Sequence, residues 1–210
     1  MATDDLYQRI LDKSLELAAQ SSWEKLHLYD VAAALGLSLD QIRVHFAQKD
    51  DLVEAWYDRA DSAMLKAAAK KAFLKLDMPH RLHKLIMVWL DALAKHKTVS
   101  RDMLLYKLEP GHIHLQVLGA LRVSRTVQWF REAAHQDSTH LRRILEEIGL
   151  SSIYLMTFVY WMNDASDNQE RTRVFLGRKL ERAGHLVNLM EDWLPKRAHQ
   201  PARPNADSAD

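Results

Sequence analysis

Residues 28 to 52 constrain the fold more than any other stretch of the chain. They run from Leu28 to Leu52 as a small-residue segment, one glycine, one serine, a second apolar segment and an acidic start. Val31, Ala32 and Leu35 fall at i, i+1 and i+4 and share one face of a first helix. Ala32, Ala33 and Ala34 favour helix and let a neighbouring helix approach closely. Gly36 follows at once, the residue that takes a left-handed conformation just past a helix end. Leu37 is placed to fill the gap between two helices, and Ser38 is a good N-cap for the second. Leu39, Ile42 and Phe46 then recur on one buried face, leaving Asp40, Gln41, Arg43, Val44 and His45 mainly on the others. Lys49, Asp50 and Asp51 open a further helix, whose N-terminal dipole suits either aspartate. Two short helices on a tight turn outline a helix-turn-helix, whose second helix can enter a DNA major groove.

Asp30-Val31-Ala32, Ala34-Leu35-Gly36-Leu37-Ser38, Ile42, His45-Phe46, Lys49 and Leu52 together resemble the TetR family of bacterial regulators. The preceding segment fits as well, with Ile10-Leu11, Leu15, Leu17-Ala18 and Trp23 where such proteins place an amphipathic first helix. The resemblance implies an all-α fold of about nine helices, with a three-helix DNA-binding head and a helical ligand-binding and dimerisation domain. It divides the chain into a head over 1–50, a body over 51–197 and a tail over 198–210. It implies that Lys49 contacts a DNA phosphate and that Gln41, Arg43, Val44 and His45 read bases in double-stranded DNA. The block departs from the family pattern at Leu26-His27, where a Thr or Ser cap is usual, at Arg43, where an aromatic is usual, and at Asp40, which adds a negative charge.

Charge pulls against that reading. The whole chain carries a formal +1, but residues 1–60 hold six basic residues against eleven acidic ones, a net of −5. Affinity for DNA depends largely on neutralising phosphates. A local patch of Lys25, Arg43 and Lys49 would still serve if the acids lie far from the duplex. Two readings stay open: a working DNA head, or a helix-turn-helix kept as scaffold.

Composition supports a helical core. Hydrophobic residues make up 48% of 210 positions, with only 6 glycines and 5 prolines to interrupt helices. Without cysteine there is neither disulfide nor thiol chemistry. The first residues carry acids rather than a basic start and apolar run, so no secretory signal is expected and a cytoplasmic location is. The longest apolar run, Ile153 to Met162, is too short to span a bilayer.

Further helices are legible along the body. One is expected from Asp51 to the Phe73-Leu74 region. Another starts at Asp77-Met78-Pro79 with Leu82, Leu85-Ile86, Trp89-Leu90 and Leu93 on its apolar face. A short helix begins at Thr98-Val99-Ser100 and stops at Glu109-Pro110-Gly111. The next passes through Leu115, Leu118, Leu121, Val127, Trp129 and Phe130. Ser138 is expected to cap a helix to Asn163, Asp164-Ala165-Ser166 to break it, and Asp167 with Glu170 to form a capping box for a last helix reaching Trp193. Pro195 ends that one, and the tail reads as disordered. By resemblance, the helices over 139–163 and 167–193 pair across a two-fold axis into a homodimer.

Residues 128–183 also resemble the C-terminal region of COQ9, a lipid-binding accessory protein of ubiquinone biosynthesis. The features are Trp129, Gln136-Asp137-Ser138, Trp161 through Asp167, Thr172, Phe175-Leu176, Arg178 and Ala183. COQ9 is itself a TetR-like fold not used on DNA, so both resemblances hold together. They imply an alternative function in isoprenoid-quinone synthesis. Leu180, Val187, Met190 and Trp193-Leu194 form an apolar stripe flanked by Arg178, Lys179, Arg182, Lys196 and Arg197, so residues 177–197 could touch a membrane surface. The same stripe is equally the signature of an ordinary packed helix.

Trp89, Met103, Tyr106, Trp129, Tyr154, Phe158 and Trp161 are the candidate lining of a pocket for a small hydrophobic or lipid-like ligand, or else plain core. His112 and His114 form an H-x-H with His83 and His96 nearby, but no cysteine or carboxylate spacing supports a metal site. No phosphate loop, G-x-S-x-G or H-E-x-x-H is present, so neither an enzyme nor a cofactor is expected.

Overall fold

The computed structural model describes the backbone of residues 2–108, 113–135 and 140–193, and the side chains of residues 5–106, 121–135 and 147–186. Every regular element among them is helical: α1 (Ala2–Gln20), α2 (Leu28–Leu35), α3 (Leu39–His45), α4 (Lys49–Ala68), α5 (Met78–Leu93), α6 (Lys97–Leu108), α7 (Ile113–Ala134), α8 (His140–Met162) and α9 (Glu170–Trp193). No described helix is long and apolar enough to cross a membrane.

Local chemistry sets the head. Gly36 has φ +65°, and the turn it permits lets the Leu37 amide donate to the Ala32 carbonyl at 2.9 Å. Ser38 and Gln41 cap α3 reciprocally: the Gln41 amide donates to Ser38 Oγ at 3.2 Å, and the Ser38 amide to Gln41 Oε1 at 2.9 Å. At α2 the missing Thr or Ser is replaced by Asp30, whose Oδ2 accepts the His27 amide at 3.3 Å. Ile10, Leu11, Leu15, Trp23, Val31, Ile42, Phe46 and Leu52 close over one another as the core of this unit. Leu39, expected on the buried face of α3, is exposed instead. It stands in the first turn, where α3 has not yet reached α1.

The expected helix from Asp51 to Phe73-Leu74 is shorter. α4 ends at Ala68, and Phe73–Lys75 form a separate 3₁₀ turn that buries Phe73. Arg81 holds the segment that follows this turn, donating to the Leu74 and Leu76 carbonyls at 2.7 and 2.8 Å, which no helix uses. Asp77 caps α5 as expected, accepting the His80 amide at 3.0 Å, and Leu82, Leu85, Ile86, Trp89, Leu90 and Leu93 are buried. On α7, Val127 and Phe130 face inward, whereas Leu121 and Trp129 are exposed. The expectations for Glu109-Pro110-Gly111, Leu115, Leu118, Ser138, His112, His114 and the segment beyond Trp193 fall on residues whose side chains or backbone lie outside the described set.

The α8–α9 joint is built differently from the expected Asp167–Glu170 box. Asp164 does the capping. One carboxylate oxygen accepts the Ser166 amide (2.8 Å) and hydroxyl (2.6 Å); the other accepts the Thr172 amide (2.9 Å) and hydroxyl (2.6 Å). Burial opposes ionisation there, but these four bonds outweigh it and hold the Asp164 carboxyl well below the usual carboxylate range. A depressed acid stabilises the fold above its unfolded-state value, about 3.9, and that contribution fades as pH falls through and below it. Asp164→Ala is therefore expected to lower stability by about 2–4 kcal/mol at pH 7, leaving two Thr172 donors unpaired. The gap to wild type should narrow below about pH 4. Denaturant melts at pH 7 and pH 3.5 would check this, and an equal gap at both would refute it.

Candidate functional site

On the outer side of the head, α3 presents Asp40, Arg43 and Val44 to solvent, with Val44 70% exposed. Arg43 Nε and Nη2 both donate to Asp40 Oδ1, at 3.2 and 3.0 Å. Gln41 spends its carbonyl on the Ser38 cap, which orients it and leaves its amide nitrogen outward. His45 is half-buried, edge-on to Tyr7 at 6.4 Å, while Tyr7 stacks on Phe46 at 4.6 Å. Of the proposed base-reading residues, Gln41, Arg43 and Val44 thus share an open surface, and His45 sits at its edge.

Lys49 stands apart from them. Its ammonium donates to the Glu24 carbonyl at 3.1 Å, 4.9 Å from the Trp23 ring centroid and 5.9 Å from that of Tyr106. Burial lowers its pKa, against the pull of Asp50 and Glu24. A cation held over two rings joins the start of α4 to α6, so Tyr106 belongs to this head–body contact rather than to an interior pocket.

The arithmetic of −5 over the first sixty residues changes in three dimensions. Glu54 and Asp58 point away from α3 and pair with α7: Arg125 Nη2 lies 2.6 Å from Glu54 and 3.3 Å from Asp58, and Arg122 also reaches Asp58. Asp12 pairs with Arg59 at 2.6 Å. Asp30 and Asp51 are spent on helix N-termini. These acids are matched by the chain's own cations and backbone donors, several drawn from the basic remainder of the chain.

Beneath this contact Arg122, 7% exposed, reaches Asp61 with Nη2 at 2.8 Å. Asp61 also accepts Trp89 Nε1 at 2.7 Å and the Thr126 hydroxyl at 3.3 Å. Burial pushes the Asp61 carboxyl up; Arg122 and the Trp89 hydrogen bond pull it back. This network was invisible in the sequence, because the two ends are 61 residues apart.

The proposed pocket residues divide. Trp89, Tyr154, Phe158 and Trp161 form a chain of rings with centroids 5.4 to 5.8 Å apart between Trp89 and Tyr154, Trp89 and Phe158, and Phe158 and Trp161. Met103 is buried as well. Trp129 is 43% exposed on the other side of α7 and does not join them.

A second surface lies on α8 and α9. Leu150, Ile153, Tyr154, Phe158 and Trp161 turn one face of α8 to the core, yet Ile148, Leu155, Met156, Val159 and Tyr160 leave the opposite face apolar and exposed. Tyr160 stacks on Phe175 of α9 at 4.4 Å. A groove of about 630 Å³ over Leu155, Met156, Val159 and Phe175 adjoins one of about 840 Å³ bordered by Arg171, Arg178, Lys179 and Arg182. The sequence showed α8 as apolar but not that one of its faces is left exposed among the described residues.

Among the described residues, nine α-helices with a capped helix-turn-helix near the N-terminal end define a fold of the helix-turn-helix class. The chain is 51% identical to a TetR transcriptional regulator from Nitrosomonas europaea, over 86% of this chain and 99% of that one, with a TM-score of 0.78. It belongs to the TetR family of transcriptional regulators. Two more distant structures share the fold: a TerR/AcrR-family regulator from Aquifex aeolicus (17% identity, 86% of this chain and 98% of that one, TM-score 0.53) and a TetR-family regulator from Streptomyces coelicolor (15%, 90% and 97%, 0.55). The COQ9 family pattern matches residues 132–187. No curated protein matches the chain significantly.

Proposed function

We propose that the chain acts as a homodimer on operator DNA, with a hydrophobic ligand held by the helical body and no catalytic role. The open face of α3, capped at Ser38 and seated on the core through Ile42, is the observation that carries this reading. Dimerisation is supported by the two-faced apolar character of α8, since a helix apolar on both sides needs cover on both. A two-fold protein also matches paired half-sites. The ligand reading is supported by the aromatic and methionine content between α5, α6 and α8. Ligand control would require different affinities for two arrangements of the head. The contact of Lys49 with Tyr106 and the pairing of Asp12 with Arg59 cross the head–body boundary at residue 50, and are the means by which the body could bias the head.

Sequencing of sheared genomic DNA retained by the purified protein at two salt concentrations tests the proposal. Discrete sites that weaken at higher salt are expected. A folded dimer that enriches nothing at low salt would overturn it.

The COQ9 match supports a second reading, lipid binding without DNA, because residues 132–187 include the α8–α9 grooves. Solvent extraction of the purified protein should then yield an isoprenoid lipid. Contact of residues 177–197 with a membrane surface belongs to this reading, and most of those side chains lie outside the described set.

A further inference from the structure

We propose that Asp40 positions Arg43 to read one guanine per operator half-site, with Val44 on the same face contacting the methyl group of a thymine beside it. The inference rests on the DNA-binding reading above.

The geometry of the arginine carries it. Asp40 Oδ1 takes the side-on edge of the guanidinium, Nε at 3.2 Å and Nη2 at 3.0 Å. The end-on edge, Nη1 with the second N–H of Nη2, is left pointing outward. That fork matches the O6 and N7 acceptors of guanine, the commonest specific arginine contact in the major groove. An arginine free to rotate would lose rotamer entropy on binding; one already tied to a carboxylate loses less. The pair is 70% and 76% exposed, so the free edge is open to solvent among the described residues. In an exposed pair the attraction itself adds little stability, which makes orientation its main physical consequence.

Asp40, Arg43 and Val44 lie at i, i+3 and i+4, within about 100° of arc on α3. Val44 is an exposed branched apolar side chain on a face left open among the described residues. In a major groove its apolar match is the thymine methyl. Asp40 brings a negative charge toward the phosphates, so it weakens general affinity while it sharpens the reading of one base.

Those opposed effects give the test. Duplexes would be selected from a random pool by the full-length wild type, R43A, D40A and D40N, and affinities measured on the selected site and on random duplex. Wild type should select a guanine at one position of each half-site. R43A should lose that preference and bind the selected site about ten- to a hundredfold more weakly. D40A should bind random duplex more tightly yet show a flattened guanine preference. D40N, whose amide oxygen can still accept from Nε and Nη2, should retain the preference. Replacing the adjacent thymine by uracil should weaken wild type but not V44A. A guanine preference unchanged in R43A, or a D40A variant that gains affinity with its base preference intact, would overturn the assignment of these residues. A wild-type protein that binds no duplex at all would instead overturn the DNA-binding reading on which it rests.

Discussion

Arg122→Leu is expected to destabilise the protein by about 3–5 kcal/mol, the cost of leaving a buried charge without its partner. Arg122 and Asp61 are 7% and 8% exposed. Removing the guanidinium strands a carboxylate that burial already pushes toward its neutral form. It also frees Asp58, which Arg122 helps hold against α7. A chain of this size loses roughly 2–4 °C of melting temperature per kcal/mol, so a fall of about 10 °C is expected in a thermal melt. The companion variant makes the mechanism specific. Asp61→Asn in the same background keeps an acceptor for Trp89 Nε1 and the Thr126 hydroxyl but removes the stranded charge, and should recover most of the loss. If the double variant melts no higher than R122L, lost packing rather than an unpaired charge is responsible. The same clamp ties α4 to α7, so R122L is also expected to loosen the packing of these two helices within the body.

Val159→Glu should convert the proposed dimer to a monomer while leaving the protomer folded. Val159 is 52% exposed and sits among Leu155, Met156 and Tyr160 on the outer face of α8, so a carboxylate there costs the isolated chain little. In a two-fold contact through that face, each copy would bury its own new charge against the other's apolar surface. With two such charges per dimer, at about 3–5 kcal/mol each, dimer affinity should fall by more than about ten-thousandfold. Light scattering would then read close to the 24.3 kDa of one chain, with circular dichroism unchanged. Binding to a paired operator site should collapse toward that of one half-site. A dimer that survives the substitution would place the two-fold contact elsewhere.

The head was legible because its signals are local. Gly36 needs a left-handed turn, Ser38 and Gln41 cap each other three residues apart, and Ile42 and Phe46 mark a helical face. Asp77 before Pro79 announced α5 in the same way. Expectations failed where a distant side chain intervened. Phe73 is drawn into the core by a separate turn whose following carbonyls Arg81 holds, and Asp164 rather than Asp167 organises the start of α9. Trp129 reads as apolar lining by composition yet faces outward, because periodicity on a helix with apolar residues on several sides does not say which side meets the core.

The residues by themselves determined that this chain is all-helical, that it begins with a helix-turn-helix and that it belongs with the TetR regulators, since caps, turns and short periodicities act within a few residues. Tertiary structure alone decided how the charges are spent. Six basic residues against eleven acidic ones over residues 1–60 is a fact of composition. That Glu54 and Asp58 face arginines of α7, while Asp40 holds Arg43 on the open side of α3, is a matter of which helix faces which. Electrostatic energy depends on separation and burial rather than on totals, so only the packed chain could show that several acids of residues 1–60 are paired with arginines away from α3.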